Sequence, residues 1–218
     1  LLEGKDVIGQ AQTGTGKTAA FGVPMVQRVN REVRGVQGLI VVPTRELALQ
    51  VADNMAKFAK YVKLKVLAVY GGESINKQVH SLAKGVQIVV GTPGRLIDLM
   101  ERRILDLSAV RTVVLDEADR MLDMGFIEDI EFILSKTPKD RQTSLFSATM
   151  DNSVMQLANK YMKNPQKILV SKDEIALTQM KQYYVVVNQG GKLKALCGLL
   201  QDDEVEKAII FCRTRHET

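Results

Sequence analysis

Short apolar runs recur along the chain at 6–9, 38–42, 65–69, 86–90, 111–115, 142–146 and 167–170, each the length of one buried strand. Helix-compatible stretches lie between most of them. The clearest covers 45–62, where Leu47, Val51, Met55, Phe58 and Val62 fall on one stripe. Strands that are apolar throughout belong in a sheet covered on both faces, and strand–helix alternation joins such strands in parallel. The pattern predicts an α/β domain over 1–170 with a mostly parallel sheet flanked by helices. The short polar stretch 171–177 reads as a linker, and a second unit occupies 178–218, with a strand at 183–187, a helix at 192–200 and a strand at 208–212.

Composition adjusts this picture only slightly. The 218 residues exceed one typical domain and fall short of two large ones. A 45% apolar content is ample for a packed core. A net charge of +5 leans toward anionic partners such as nucleic acid. No apolar run is long enough to cross a bilayer, so no membrane partner is predicted. Cys197 and Cys212 lack metal-ligand spacing and are expected as core residues of a protein kept in a reducing compartment. His80 and His216 have no acidic or cysteine neighbours at ligand spacing. The aromatic residues do not interleave with basic ones, so base stacking is not predicted.

The chemistry is concentrated in a few loops. Residues Ala11, Gln12, Thr13, Gly14, Thr15, Gly16, Lys17 and Thr18 follow the first strand and open a helical stretch at 18–29. Strand, glycine-rich loop and helix form the setting of a phosphate-binding loop, here with Ala11 in place of the usual first glycine. Gly14 and Gly16 allow positive φ, so loop N–H groups and the helix N-terminus face an anion. Lys17 supplies a charge to the β- and γ-phosphates, and Thr18 offers its hydroxyl to Mg²⁺. Downstream, Val113-Val114-Leu115 ends in Asp116-Glu117. A carboxylate pair at the carboxyl end of a buried strand is placed to manage a metal and a water. Asp116 is the candidate Mg²⁺ ligand, and Glu117 the candidate group that orients or deprotonates the attacking water. Together the two elements predict a nucleoside triphosphatase, with Lys17, Asp116 and Glu117 carrying the catalysis.

Three further strand ends carry phosphate-binding features. Pro43-Thr44-Arg45 and Thr92-Pro93-Gly94-Arg95 each sit where a strand turns into a helix, and Gly71-Gly72 permits close backbone approach. Thr44 and Thr92 also read as plain helix N-caps, and the two roles are compatible. Ser147 and Thr149 are placed to hydrogen-bond Asp119. Equally, one of them could begin a helix at 152–162.

The strings AQTGTGKT (11–18), PTRELALQ (43–50), Gly71-Gly72, TPGR (92–95), DEADRMLDMGF (116–126) and SAT (147–149) occur in one order across nearly the whole chain. In this the sequence resembles the DEAD-box RNA helicases. The resemblance implies a RecA-like fold for the first domain and an incomplete second RecA-like domain. It implies ATP and Mg²⁺ in the cleft between domains, and the choice of ATP over other nucleotides rests on it alone. Pro43, Thr44, Arg45, Gly71, Gly72, Thr92, Pro93, Gly94 and Arg95 are implied to grip the RNA sugar-phosphate backbone. Asp119, Ser147 and Thr149 are implied to link hydrolysis to duplex opening. A monomer acting in the cytoplasm, or in the nucleus of a eukaryote, is expected. The chain opens on Leu1 and closes just after a Thr214-to-Glu217 capping pattern, so the parent protein is expected to continue on both sides. The chain by itself would then be either the enzyme or a nucleotide- and RNA-binding module with little turnover.

Overall fold

The computed structural model describes residues 1–11, 15–169, 183–188, 190–201 and 205–212. The chain divides into two units, Leu1–Asp173 and Glu174–Thr218.

The first unit contains all seven expected strands: β1 (Val7–Gln10), β2 (Gly38–Val41), β3 (Val66–Val69), β4 (Ile88–Gly91), β5 (Thr112–Leu115), β6 (Gln142–Ser147) and β7 (Gln166–Leu169). They form one sheet in the order β3-β4-β2-β5-β6-β1-β7, and every pairing is parallel. Strand limits follow hydrogen-bond register rather than apolar content. The fourth run therefore starts at Ile88, opposite Gly38, and not at the buried Val86.

Between the strands lie α1 (Lys17–Arg28), α2 (Arg45–Ala59), α3 (Ile75–Ala83), α4 (Pro93–Glu101), α5 (Ala118–Asp123), α6 (Ile127–Ser135) and α7 (Asn152–Tyr161). The alternate pointing of strand side chains divides each apolar run between two cores. Leu39, Val41, Val89, Val113, Leu115 and Leu145 pack with residues of α4 to α7. Ile40, Val42, Ile88, Val90, Val114 and Phe146 pack with α1 and α2. The helix expected over 45–62 is α-helical to Ala59 and ends in a 3-10 turn, Lys60–Val62. Its buried line is Ala48, Val51, Met55 and Ala59, with Leu47, Phe58 and Val62 only partly buried at the margin.

In the second unit, α8 (Lys192–Leu200) forms as expected. The strands expected at 183–187 and 208–212 do not form, because those residues have no ladder partner among the described residues and Tyr184 and Phe211 are exposed. An isolated apolar run leaves its N–H and C=O groups to water. Cys197 and Cys212 are exposed rather than core residues, and α8 buries none of its side chains. Val170, the linker stretch 171–177, His216 and the capping pattern at 214–217 lie outside the described residues.

Candidate functional site

A parallel sheet brings every strand's carboxyl end to one edge, where α/β proteins bind ligands. Strand order divides that edge. The loops after β5, β6 and β1, three neighbours, carry the carboxylates, the Ser147–Thr149 segment and the phosphate loop. Those after β3, β4 and β2, the adjoining neighbours, carry Gly71-Gly72, Thr92-Arg95 and Pro43-Arg45.

In the first half, β1 delivers the chain to Ala11, whose buried N–H donates to the Ser147 carbonyl at 3.1 Å. Gln12, Thr13 and Gly14 lie outside the described residues. Gly16 holds φ at 90°, in the left-handed region, and begins α1 without any side-chain cap. The N–H groups of Ala19 and Ala20 donate to the Gly16 carbonyl, while those of Lys17 and Thr18 stand at the open helix end with no side-chain cap among the described residues, which is the condition for anion binding. Thr18 is half-buried in that turn, and Thr15 is exposed. A cavity of about 390 Å³ opens beside Gly16 and Lys17, with an apolar wall from Leu2, Pro24, Phe146 and Ile168.

Nζ of Lys17 stands 4.0 Å from Oδ1 of Asp116, and both side chains are almost wholly buried. Burial pushes the Asp116 carboxyl up to about 6, against the opposing pull of the Lys17 charge and the Glu117 N–H. That N–H donates to Asp116 Oδ1 at 3.0 Å. Glu117 itself has φ 52°, a left-handed conformation rare outside glycine, and it caps α5. Its carboxylate accepts from Arg120 Nη1 at 3.1 Å.

Asp119 joins these loops. Its Oδ2 accepts from the N–H of Ala148 (3.2 Å), the N–H of Thr149 (2.9 Å) and the Thr149 hydroxyl (3.0 Å), while its own N–H donates to the Ser147 hydroxyl at 3.2 Å. Partial burial acts to raise this carboxyl, but the N–H groups of Thr149 and Arg120 and the Thr149 and Ser147 hydroxyls outweigh it and hold it below the usual carboxylate range. The competing reading, in which Ser147 or Thr149 caps the next helix, does not hold. The cap of α7 is Asp151, which accepts from the Val154 N–H at 2.9 Å. Gln10 adds a link absent from the sequence reading, because its Nε2 donates to the Ala148 carbonyl at 3.1 Å.

In the second half, Pro43, Arg45, Gly71, Thr92, Gly94 and Arg95 line one open cavity of about 420 Å³. Thr44 accepts from the Leu47 N–H at 3.3 Å, an N-cap in fact. Thr92 begins α4 without a capping hydrogen bond from its side chain, and Pro93 opens that helix. Gly72 has φ 79°, and a Cβ there would come 3.5 Å from Arg45 Nη1. The Arg45 guanidinium lies 5.0 Å from the Tyr70 ring centroid. Arg95 Nη1 reaches the Glu73 carbonyl (3.3 Å) and Gln78 Oε1 (3.2 Å). Gln78, buried in α3, donates in turn to the Tyr70 carbonyl at 3.0 Å. The sequence reading missed Gln78, Tyr70 and the cavity residue Phe126. A lone glutamine on an amphipathic helix gives no local signal of what it will meet.

Among the described residues no helix is long and apolar enough to cross a membrane. The described residues also hold no group of three or more His, Cys, Asp or Glu arranged to cage a metal.

The model of the DEAD/DEAH box helicase family matches residues 1–157. The chain is 49% identical over 98% of its length to the DEAD-box ATP-dependent RNA helicase CshA of Bacillus cereus, covering 41% of that protein. It is 50% identical, again over 98%, to the ATP-dependent RNA helicase CshA of Listeria monocytogenes, covering 41% of it. Among solved structures, a DEAD box protein from Methanococcus jannaschii is similar over 99% of this chain and 58% of its own, at 42% identity and a TM-score of 0.74. The chain thus spans about two-fifths of the curated relatives' length. With an all-parallel RecA-like sheet, the phosphate loop and the carboxylate pair meeting at its edge, and a family match across most of its length, this chain belongs to the DEAD/DEAH box helicase family.

Proposed function

We propose that this chain is the nucleotide- and RNA-binding core of an ATP-dependent RNA helicase, whose ATP hydrolysis is stimulated by RNA and coupled to local opening of RNA duplexes. The observation that carries the reading is the 4.0 Å approach of Lys17 to Asp116 on the same sheet edge as the Arg45–Arg95 cavity. The names of the relatives support it.

In this reading Lys17 and the uncapped start of α1 hold the β- and γ-phosphates of ATP. A single buried carboxylate beside a hydroxyl-bearing first turn suits Mg²⁺, which shares its shell between few protein oxygens, phosphate and water. Thr18 and Asp116 would hold that ion, which when bound neutralises charge on the phosphate oxygens. Glu117, braced by Arg120, orients the attacking water and accepts its proton. Asp119 carries a change at the nucleotide to the Ser147–Thr149 segment. Arg45, Arg95 and the N-termini of α2 and α4 hold RNA phosphates. Such contacts position a strand without reading bases, so binding is sequence-tolerant and salt-sensitive. The protein acts as a monomer in the cytoplasm.

A second reading applies to the 218 residues alone. Among the described residues Lys17 is the only cation in ion-pair range of Asp116. An arginine delivered from a facing domain adds several orders of magnitude to phosphoryl transfer. Without one the chain binds nucleotide and RNA but turns over little.

ATPase and strand-displacement assays with single-stranded RNA, duplex RNA and DNA test both readings. RNA-specific stimulation in a full-length parent, abolished by Glu117→Gln with Mg²⁺-ATP binding retained, is the expected result. Equal stimulation by DNA, or normal single-turnover hydrolysis by that variant, would overturn the first reading. Stimulation of the 218-residue chain to the parent's level would overturn the second.

A further inference from the structure

The opposite edge of the sheet carries a second basic feature that the helicase reading does not use. Arg111 directly precedes β5, Arg141 directly precedes β6, and Gly4 lies just before β1, so three neighbouring strands bring these residues together at their amino ends. Arg28, the last residue of α1, joins them. The four residues line a cavity of about 480 Å³ whose only carboxylate is Asp140.

None of the three guanidiniums makes an ion pair among the described residues. Arg28 Nη1 donates to the neutral Gln142 amide oxygen, and Arg141 Nη1 to the Pro138 carbonyl at 3.0 Å. The Arg141 Nε is shut from solvent without a hydrogen-bond partner among the described residues. Burial also pulls the Arg141 guanidinium below its ordinary value, opposed by the charge of Asp6. Asp6 makes no ion pair with Arg141, its carboxylate oxygens accepting instead from the N–H groups of Thr143 (2.8 Å) and Lys163 (2.7 Å), so its charge offsets only part of the basic excess. A second cavity of about 400 Å³ shares Gly4, Asp140 and Arg141 and adds Lys163, Asp6 and Lys5, the last paired with Glu3 at 2.8 Å. The two form a basic trough rather than a single deep pocket. No aromatic ring lines either one.

The geometry points to a second phosphate-binding site along this trough, taking a linear chain of phosphates such as the backbone of single-stranded RNA. Planar guanidiniums match phosphate oxygens in pairs. An elongated, polar wall without a stacking platform fits a backbone and not a base. The site is independent of the proposed RNA edge on the other side of the sheet.

Arg111 is the variant of choice, since it is exposed and its side chain makes no hydrogen bond among the described residues. Binding of a labelled single-stranded RNA is followed by fluorescence anisotropy, with the other edge disabled by Arg45→Ala and Arg95→Ala. In that background Arg111→Glu is expected to weaken the residual affinity by about tenfold or more, and Arg111→Gln to reduce the salt slope by about one. Residual binding within twofold of the background, in a variant with an unchanged melting temperature, overturns the site. Arg28→Gln provides a second check of the same sign. Competition by inorganic polyphosphate that is lost in Arg111→Glu shows that phosphates alone suffice, whereas competition by unlabelled RNA alone shows that the ribose is needed, and both uphold the site. Competition only by polyglutamate assigns the trough to an acidic protein surface and overturns it. If Arg45→Ala and Arg95→Ala leave RNA binding intact, the helicase-edge assignment fails while the Arg111 comparison stands.

Discussion

Nζ of Lys17 stands 4.0 Å from Oδ1 of Asp116, although one residue opens α1 and the other directly follows β5. Both are buried, so each offsets a charge that would otherwise be stranded. Replacing Lys17 by alanine removes the proposed phosphate anchor and the cation that restrains Asp116. The expected outcome is a loss of at least about tenfold in affinity for a fluorescent ATP analogue. An unchanged titration would remove Lys17 from the phosphate site.

Asp116 also sets a pH dependence in the metal- and nucleotide-free protein. Its folded-state value of about 6 lies above the ordinary 3.8, so the folded form keeps its proton longer than the unfolded chain. Below the ordinary value both states are protonated and there is no penalty. As pH rises from 3.8 to about 6 the penalty grows, and above that it is constant. Its full size is roughly 3 kcal/mol. Asp116→Asn does not titrate, so the stability gap between variant and wild type should move in favour of the variant between about pH 4 and pH 7.5. Urea unfolding at both ends of that window measures it, and a gap that stays constant contradicts the assignment.

Thr149→Ala deletes one of the donors to Asp119 and leaves the backbone donors in place. The expected cost in stability is about 1 kcal/mol. If this contact carries coupling, ATP hydrolysis by the parent protein stays within a few-fold while duplexes opened per ATP fall. A parallel drop in both rates would make the contact structural only.

Gln78 holds Arg95 against the loop that follows β3, bonding the guanidinium and the Tyr70 carbonyl together. It acts as a positioning residue. Gln78→Ala should weaken RNA binding by about three- to tenfold with ATP-analogue affinity unchanged, and should add little in an Arg95→Ala background. Full additivity of the two losses would sever Gln78 from Arg95.

Gly91 ends β4, where a Cβ would come 2.7 Å from Leu96 Cδ2 and 2.9 Å from the Val69 carbonyl. Backbone on one side leaves no room to give, so Gly91→Ala should destabilise by about 1–3 kcal/mol. Gly94 has nothing within 4 Å of such a Cβ. Its alanine variant serves as the near-neutral control in the same denaturation series.

The seven strands of the first unit, the helices α1, α2, α7 and α8, and the loops that carry Lys17 and Asp116 were legible in the order of residues. Each rests on a local property, whether an apolar run, a 3.6-residue period or a glycine loop ahead of a lysine. Tertiary structure alone decided the strand order that separates the half of the edge bearing Lys17 and Asp116 from the half bearing Arg45 and Arg95. It decided that Ser147 and Thr149 bond Asp119 while Asp151 caps α7, a choice that two equally suitable hydroxyls could not announce. Gln78, Gln10 and the arginines at the amino edge escaped notice for the same reason. Their roles come from partners distant in sequence, and parallel pairing brings distant loops together in an order that no single segment encodes. The runs at 183–187 and 208–212 show the converse, because strand propensity without a paired neighbour among the described residues leaves most of each run exposed.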